Sequence, residues 1–426
     1  MPINIQKNGI DLDLLLEPRG SLPKRADVNI RASSTDISNT FAAVSATDGI
    51  AFGDVNIDTS GTDVGTLFAK HGSVFTAQGL WSFGLNTNGG LGNNNRTAYS
   101  SPVQVGTATT WKHISAGRLF SAVVDSSSRL WSFGLNTNGQ LGHNNVTPLS
   151  SPVQVGSLTD WKWVSCGYFF MGNVKTDGTM WTCGYNTSGE LGNNTTTRYS
   201  SPVQVGSLTT WKFINAGQNH SLAIKTDGTL WAWGSNTRGN LGDNTRTIRS
   251  SPVQVGTLTT WSWAAAGLGH SMAIKTDGTL WGWGLNLNGQ IGNSSVAYYS
   301  SPIQVGSLTN WKFVACGYYH TVAITTDNKM YTWGRNQSGQ LGQNNLTYLS
   351  SPVQVGSLTT WKWANAHVSD HTMAIKTTGE LFAWGLGTNG RLGDSTAVTK
   401  SSPVQVGSLT TWKNTVVGPA HTLTIK

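Results

Sequence analysis

The residues best suited to chemistry form a regular series of histidines, each preceded by a short loop. The series consists of His220, His270, His320, His371 and His421. A ring of imidazoles could in principle bind a metal ion. However, Phe120 and Phe170 occupy the same place in the first two units, and no acidic cluster accompanies the histidines. We therefore expect these side chains to make structural hydrogen bonds and expect no metal site.

Other catalytic patterns are missing from the sequence. The three cysteines are too few for a disulfide framework and form no C-x-x-C pair; they are Cys166, Cys183 and Cys316. The chain has no G-x-S-x-G, H-E-x-x-H or Walker sequence. Its carboxylates are scarce and fall mostly in repeated turns. We expect neither enzymatic activity nor a cofactor.

Composition divides the chain into two parts. Charged residues make up 11% of the 426 residues, against about 25% in a typical soluble domain. Residues 1–70 carry a net charge of −3, the remainder carries +11, and all 19 Trp follow residue 80. No apolar run approaches the roughly 18 residues of a membrane span, and the first residues lack the apolar core of a secretory signal. We predict an N-terminal docking arm over 1–70 and a second domain over 71–426.

A repeat of 50 residues governs the second domain. Ser-Pro dipeptides begin at Ser101, Ser151, Ser201, Ser251, Ser301, Ser351 and Ser402, with a single one-residue insertion near His367–Asp370. In the unit 201–250, four runs of four to six residues are rich in Val, Ile, Trp and Thr and end at Gly, Asp or Asn. These features predict strands, and Asp227-Gly228 predicts a hairpin. Seven such units predict an all-β, seven-bladed β-propeller of four-stranded blades.

The two ends of the repeat predict how the ring closes. The piece 403–426 supplies three strands, and the missing fourth appears as Gly79–Gly84. We therefore predict a composite closing blade built from both ends of the domain, which removes open sheet edges. Ser73–Thr76 also has the character of a strand and competes with His421–Lys426 for the third place.

The repeat carries a family resemblance. The pattern Gly217-x-x-His220-Ser221, followed by Asp227-Gly228-x-Leu-Trp-x-Trp-Gly and Asn-x-x-Gly-x-Leu-Gly, resembles the repeat of the regulator of chromosome condensation family over about 355 of the 426 residues. The resemblance implies a seven-bladed propeller but no single function, because the family includes nucleotide exchange factors, a plant ultraviolet receptor and a β-lactamase inhibitor. The exchange factor's insertion and the photoreceptor's Gly-Trp-Arg-His-Thr triplets are absent. The tryptophans alternate within strands, which indicates a core role.

Strand alternation places two sets of loops on opposite faces of the ring. On one face the long loops differ between units, and aromatic and Arg side chains there favour a contact surface for protein or sugar. Neutral drift in exposed loops is the alternative. The candidate interface residues are Tyr99, Leu149, Arg198, Tyr199, Arg246, Arg249, Tyr298, Tyr299, Tyr348 and Leu349.

The opposite face has nearly identical turns and a ring of lysines. This candidate basic rim consists of Lys112, Lys162, Lys212, Lys312, Lys362 and Lys413. Such a rim could bind a polyanion or an acidic partner, or it is a solvated surface partly neutralised by nearby aspartates. Nucleic acid is not expected, because no helix is available to enter a groove.

The first 70 residues suggest a context. A Gly-x-Asp-Leu-x-x-Leu pattern recurs loosely and resembles arms of tailed-phage virion proteins; an extended or disordered leader is the alternative. The candidate docking residues are Asp11, Leu12, Leu15, Asp63, Leu67 and Phe68.

The sequence as a whole predicts a non-enzymatic virion protein. Its arm would bind other virion proteins, with the copy number set by the particle, and its propeller would contact a protein or glycan of the host surface. Two alternatives are open: a cytoplasmic interaction module with a small-GTPase partner, and a glycan-binding lectin.

Overall fold

The computed structural model describes residues 79–108 and 110–426, together with the backbone of four short strands nearer the N-terminus. The chain separates into two compact units, Met1–Thr76 and Ala77–Lys426. In the first unit, Pro2–Lys7 pairs antiparallel with Ile10–Leu15, and Val28–Ile30 pairs parallel with Val55–Ile57.

The second unit contains seven four-stranded antiparallel sheets, which confirms the predicted propeller. Blades 1–6 are continuous in sequence, and each runs from an inner strand to an outer strand. Blade 1 consists of Trp111–Ala116, Phe120–Asp125, Leu130–Gly134 and Leu149–Gln154, and blade 2 of Trp161–Cys166, Phe170–Lys175, Met180–Gly184 and Tyr199–Gln204. Blade 3 consists of Trp211–Ala216, His220–Lys225, Leu230–Gly234 and Arg249–Gln254, and blade 4 of Trp261–Ala266, His270–Lys275, Leu280–Gly284 and Tyr299–Gln304. Blade 5 consists of Trp311–Cys316, His320–Thr325, Met330–Gly334 and Leu349–Gln354, and blade 6 of Trp361–Asn365, His371–Lys376, Leu381–Gly385 and Lys400–Gln405.

The closing blade joins both ends of the domain, as predicted. Its strands, from the inside outwards, are Asn414–Val417, His421–Ile425, Leu80–Gly84 and Tyr99–Gln104. His421 pairs with Gly84 and Ile425 with Leu80, so the C-terminal segment fills the disputed place. The competing segment, Ser73–Thr76, lies outside the described residues.

The predicted phase of the blades is wrong by one strand. The Ser-Pro run does not open a unit; it forms the outer strand of the preceding blade, as the pairing of Trp231 with Gln254 shows. Each end therefore gives two strands to the closing blade, instead of three from the C-terminus and one from the N-terminus. A period gives the length of a unit but not its starting point. A long loop separates each Ser-Pro run from the third strand with which it pairs, so the pairing is not evident from the sequence.

The core lies between blades and is rich in tryptophan, as predicted. The Trp that begins each inner strand of blades 1–6 is at most 5% exposed, and Trp412, just before the inner strand of the closing blade, is 3% exposed. Several of these rings make edge-to-face contacts with an aromatic residue of the third strand, such as Trp211 with Trp231 at 6.1 Å, a favourable geometry. In the Asp-Gly turns, Gly178 has φ +79°, and a Cβ there would lie 2.1 Å from Thr209 O. Glycine is therefore favoured here, although Ser128 and Asn328 adopt a φ of +58° and +63° in the equivalent turns of blades 1 and 5.

The helical content of the described residues is a single 3-10 turn, Thr388–Gly390. No helix in this part of the chain is long and apolar enough to cross a membrane.

Candidate interaction faces

One face of the propeller, here called the variable face, is formed by the loops that follow the inner and third strands. In blades 1–5 and in the closing blade, a buried Asn holds the long loop in one shape; blade 6 has Gly387 at this position. Asn236 Oδ1 accepts a bond from Leu241 N at 3.0 Å, while its Nδ2 donates to Thr245 O at 3.2 Å and Thr247 O at 3.1 Å. Asn86, Asn136, Asn186, Asn286 and Asn336 act similarly. The loops therefore share a skeleton and differ mainly in their exposed side chains.

The predicted interface residues on this face divide into exposed and half-buried groups. Arg198, Arg246 and Tyr348 are exposed, and Tyr298 is half-buried. The six others begin outer strands and are half-buried: Tyr99, Leu149, Tyr199, Arg249, Tyr299 and Leu349.

Some of the half-buried group are held by the scaffold. Arg249 Nε lies 2.9 Å from Asp243 Oδ2. Tyr299 packs against two core clusters, and its hydroxyl accepts a bond from Asn293 Nδ2 at 2.9 Å. These side chains support the loops, and the exposed group is better placed for contact with another molecule.

A cluster of aromatic and Arg side chains lies at the centre of the variable face, in the short loops before the second strands. The exposed Arg118 guanidinium lies 4.8 Å from the ring centre of Tyr168 and 5.2 Å from that of Phe169. The Tyr168 ring in turn lies 6.3 Å from Tyr318. We call Arg118, Tyr168, Phe169, Tyr318 and Tyr319 the mouth cluster. Although blades 1, 2 and 5 are not all adjacent, their loops converge at the ring axis.

Buried charges surround this cluster. Arg391 is 7% exposed and donates from Nε to Thr388 O at 2.8 Å. Burial raises the pKa of Asp370, although the charges of Arg335 and Arg391 oppose that shift. Burial and a hydrogen bond with Tyr168 raise the pKa of Tyr318, so its hydroxyl stays protonated. The centre of the variable face is therefore rich in Arg and Tyr side chains.

Sequence reasoning did not select this cluster. Its members occupy the two variable positions of the Gly-x-x-His or Gly-x-x-Phe loops, where other blades have Gln218-Asn219 or Leu268-Gly269. The available signal was the bulk of these residues. This signal is weak in the sequence, because loops of this length are typical of simple turns between strands.

The one-residue insertion has a structural explanation at the ring axis. His367 Nε2 lies 2.6 Å from Cys166 O, so a loop of blade 6 reaches across to blade 2. Below it, the inner strands enclose a channel with a cavity of about 330 Å³. A chain of aromatic contacts lines the far end of the channel: His113, Trp163, Phe213, Trp263, Phe313 and Trp363.

The histidine series makes structural hydrogen bonds between blades, as expected. His270 Nε2 lies 3.1 Å from Thr321 Oγ1, and this hydroxyl donates its own proton to Gln290 O at 2.8 Å. His270 Nε2 must therefore carry the proton, and its Nδ1 has no partner. Burial lowers the pKa of His270 to about 3. Among the described residues, no three His, Cys, Asp or Glu side chains lie close enough to hold a metal.

The opposite face, here called the lysine face, carries the predicted basic rim. Lys112, Lys162, Lys212, Lys312 and Lys362 are exposed, and Lys413 is half-buried. A second set of lysines on this face lies over tryptophan rings. One of them is Lys225, whose Nζ is 3.6 Å from the ring centre of Trp231. The rim residues thus lie on one side of the ring, away from the mouth cluster.

The candidate docking residues near the N-terminus are only partly described. Asp11, Leu12 and Leu15 fall within the strand Ile10–Leu15. Asp63, Leu67 and Phe68 lie outside the described residues. The docking role of this segment stays a prediction.

Fold and faces together define a seven-bladed propeller scaffold that presents two chemically different loop surfaces. The chain matches the regulator of chromosome condensation (RCC1) repeat and belongs to that family. The matched segments are 79–124, 127–172, 177–224, 227–274, 277–324, 327–375 and 378–425, and a second repeat description matches 111–140, 211–240 and 311–340.

Solved structures share this fold. Human WBSCR16 is 20% identical, with a TM-score of 0.74, over 82% of this chain and 98% of that one. Yeast RCC1 (Prp20), solved bound to Kap60, is 19% identical with a TM-score of 0.73, over 82% and 88%. Prp20p from Saccharomyces cerevisiae, described with its binding to Gsp1p and histones, is 18% identical with a TM-score of 0.72, over 82% and 91%. At this identity the similarity shows the fold alone. No curated protein matches the chain in sequence.

Proposed function

We propose that this propeller is a non-enzymatic protein-binding module whose partner binds the variable face, centred on the mouth cluster. The observation that carries the proposal is the stack of Arg118 on Tyr168 and Phe169 beside Tyr318. Tyr and Arg are enriched among the residues that dominate binding energy at protein interfaces. The surrounding arginines favour an acidic partner surface.

The repeated loop skeleton supports this role. Because buried Asn side chains fix the loops, little conformational freedom is lost when a partner binds. The exposed side chains of Arg198, Arg246 and Tyr348 extend the surface outwards from the centre. Yeast RCC1 was solved bound to Kap60 and is described with its binding to Gsp1p and histones, which is consistent with a protein-binding propeller.

The test begins with affinity purification from the source cells, using the full chain as bait, followed by titration against each purified candidate partner. For the true partner, Arg118→Ala combined with Tyr318→Ala should raise the Kd by tenfold or more, since two central residues are lost (about 1.4 kcal/mol per factor of ten). Lys212→Ala combined with Lys362→Ala, on the opposite face, is the matched control and should leave the Kd unchanged. An unchanged Kd in the mouth-cluster variant would refute the proposed site.

The placement of the protein is a separate proposal. The virion role rests on residues 1–70 alone, and none of the comparisons supports it; a cytoplasmic module with a GTPase partner is the alternative. Identification of the purified partner as a virion protein or as a GTPase decides between them.

Sugar binding can be tested with a single residue. Tyr298 is suited to substitution, because Tyr299 is part of the core packing and its loss would confound the result. Loss of glycan binding in Tyr298→Ala would support the lectin alternative.

A further inference from the structure

The lysine face carries a ring of exposed leucines that the turns do not require for their backbone conformation. Each lies two residues after a turn glycine, and their exposed fractions are 39–46%. The ring consists of Leu158, Leu208, Leu258, Leu308, Leu358 and Leu409. The seventh turn has Ala108 in this place, yet Gly106 adopts φ +60°, within the +60° to +64° of the six other turns. Leucine is therefore not needed to form the turn.

The turns project from the surface. A Cβ built on the turn glycine, such as Gly206, would meet no atom within 4 Å, and the same is true of all seven glycines. Because equivalent positions of successive blades are related by rotation about one axis, the leucines lie at one height on a circle. Exposed apolar side chains that recur at one height on the same face mark a candidate interaction surface.

The charges on the same face are predominantly positive at the rim. The described ion pairs do not include Lys112, Lys162, Lys212 or Lys362. Most acidic side chains on this face accept hydrogen bonds within their own turns or pair with lysines outside the rim. Asp227 accepts bonds from Thr229 N at 2.9 Å and Thr229 Oγ1 at 2.7 Å, and the same arrangement occurs at Asp177 and Asp277. Asp160 pairs with Lys175, and Asp327 with Lys329.

We propose that the lysine face docks on an anionic lipid bilayer, with the leucines entering the headgroup region and the lysines binding lipid phosphates and carboxylates. A planar ring of apolar side chains beside cations has the chemistry of interfacial membrane binding. A bilayer presents the same surface to every blade, whereas a folded protein partner would match only part of a near-symmetric ring. A second copy would bring two lysine rims together, which is electrostatically unfavourable.

Vesicle binding by the full chain tests the proposal. The protein should bind phosphatidylserine-containing vesicles, lose this binding at high salt, and bind pure phosphatidylcholine vesicles weakly. The combined substitutions Leu208→Ser, Leu258→Ser and Leu308→Ser should weaken binding by about tenfold or more, because three apolar insertions are lost. The matched control is Val146→Ser, Val296→Ser and Val398→Ser, at residues that are 58–59% exposed in the long loops of the variable face; it should bind like the unmodified chain.

A label reports the orientation without altering a leucine. The native cysteines Cys166, Cys183 and Cys316 are buried, so an environment-sensitive fluorophore can be attached selectively at Ser207→Cys or, on the variable face, at Thr196→Cys. The emission of the first label should shift to the blue with anionic vesicles, and that of the second should not. No binding to anionic vesicles, equal losses in both triple variants, or a shift at Thr196→Cys alone would overturn the proposal. So would binding to polyglutamate without binding to vesicles, which would assign the face to an acidic protein.

Discussion

Glu190 gives the sharpest prediction about stability. Its side chain is fully buried; Oε2 accepts a bond from Ser188 N at 2.8 Å, and Oε1 has no partner. Burial raises the pKa of this carboxyl from 4.5 to about 7, against the opposing effect of the bonds at Ser188. Blades 1 and 4 have Gln140 and Gln290 in this place, each accepting the same backbone bond at 2.9 Å. Glu190→Gln therefore removes the charge and keeps the geometry.

The magnitude follows from the pKa. Below about pH 4.5 the carboxyl is protonated in both the folded and the unfolded chain, so it has no effect on the pH dependence there. As the pH rises towards 7, the unfolded chain loses this proton more readily, and the folded state loses stability. Above the folded pKa the loss reaches roughly 3 kcal/mol, at about 1.36 kcal/mol per pH unit. For a unit the size of Ala77–Lys426, this corresponds to a Tm difference of about 4 °C.

Thermal unfolding of the two proteins, followed by circular dichroism, measures this difference. Glu190→Gln should melt about 4 °C above the unmodified chain near pH 9, and the gap should nearly vanish near pH 4.5. Gln290→Glu, which places a carboxyl in the equivalent position of blade 4, should have the opposite effect. A gap that is the same at both pH values, or no gap near pH 9, would refute the reasoning.

Three further predictions concern the closing blade, the histidines and the thiols. Deletion of 421–426 removes a buried strand between Asn414–Val417 and Leu80–Gly84 and should lower the Tm of the whole propeller; an unchanged Tm would contradict the closure. His270→Phe introduces the residue that blade 1 has at this position, Phe120, and should shift acid unfolding to lower pH. Because the pKa of His270 is about 3 in the folded state, its protonation favours the unfolded chain as the pH falls below about 6.5. An unchanged midpoint of acid unfolding would contradict this prediction. The native thiols should react with Ellman's reagent only on unfolding, since they are buried and burial raises the pKa of Cys166 to about 12, whereas a cysteine at Ser207 should react at once.

The strands and their number were predictable from sequence because each is short and ends at a turn residue with a specific backbone role. Asp227-Gly228 marks a hairpin, and Gly228 adopts φ +80° as such a turn requires. The phase of the blades was not predictable in the same way. The Ser-Pro strand is separated from its partner by a long loop, and only the pairing of Gly234 with Arg249 shows that the chain returns to the same sheet.

The mouth cluster was beyond sequence reasoning for a different reason. Arg118, Tyr168 and Tyr318 are separated by 50 to 200 residues and meet only because the ring brings short loops of blades 1, 2 and 5 to one axis. The insertion at His367 was visible in the sequence, but its contact with Cys166 across the channel depends on the same convergence. These contacts form only when the ring closes, so they cannot be deduced from the linear order of the repeats.

Periodicity in this chain mostly reports packing. The histidines, the buried Asn side chains and the turn glycines recur because most blades share the same hydrogen bonds and backbone turns. Function is then to be sought in two places: where a position departs from the period, as in the mouth cluster, and where a residue is periodic without being needed. The leucines of the lysine face are of the second kind, since Ala108 occupies the same turn without altering the backbone of Gly106. A shared side chain that the turn backbone does not require, exposed six times on one face beside lysines, is the feature on which the proposed membrane contact rests.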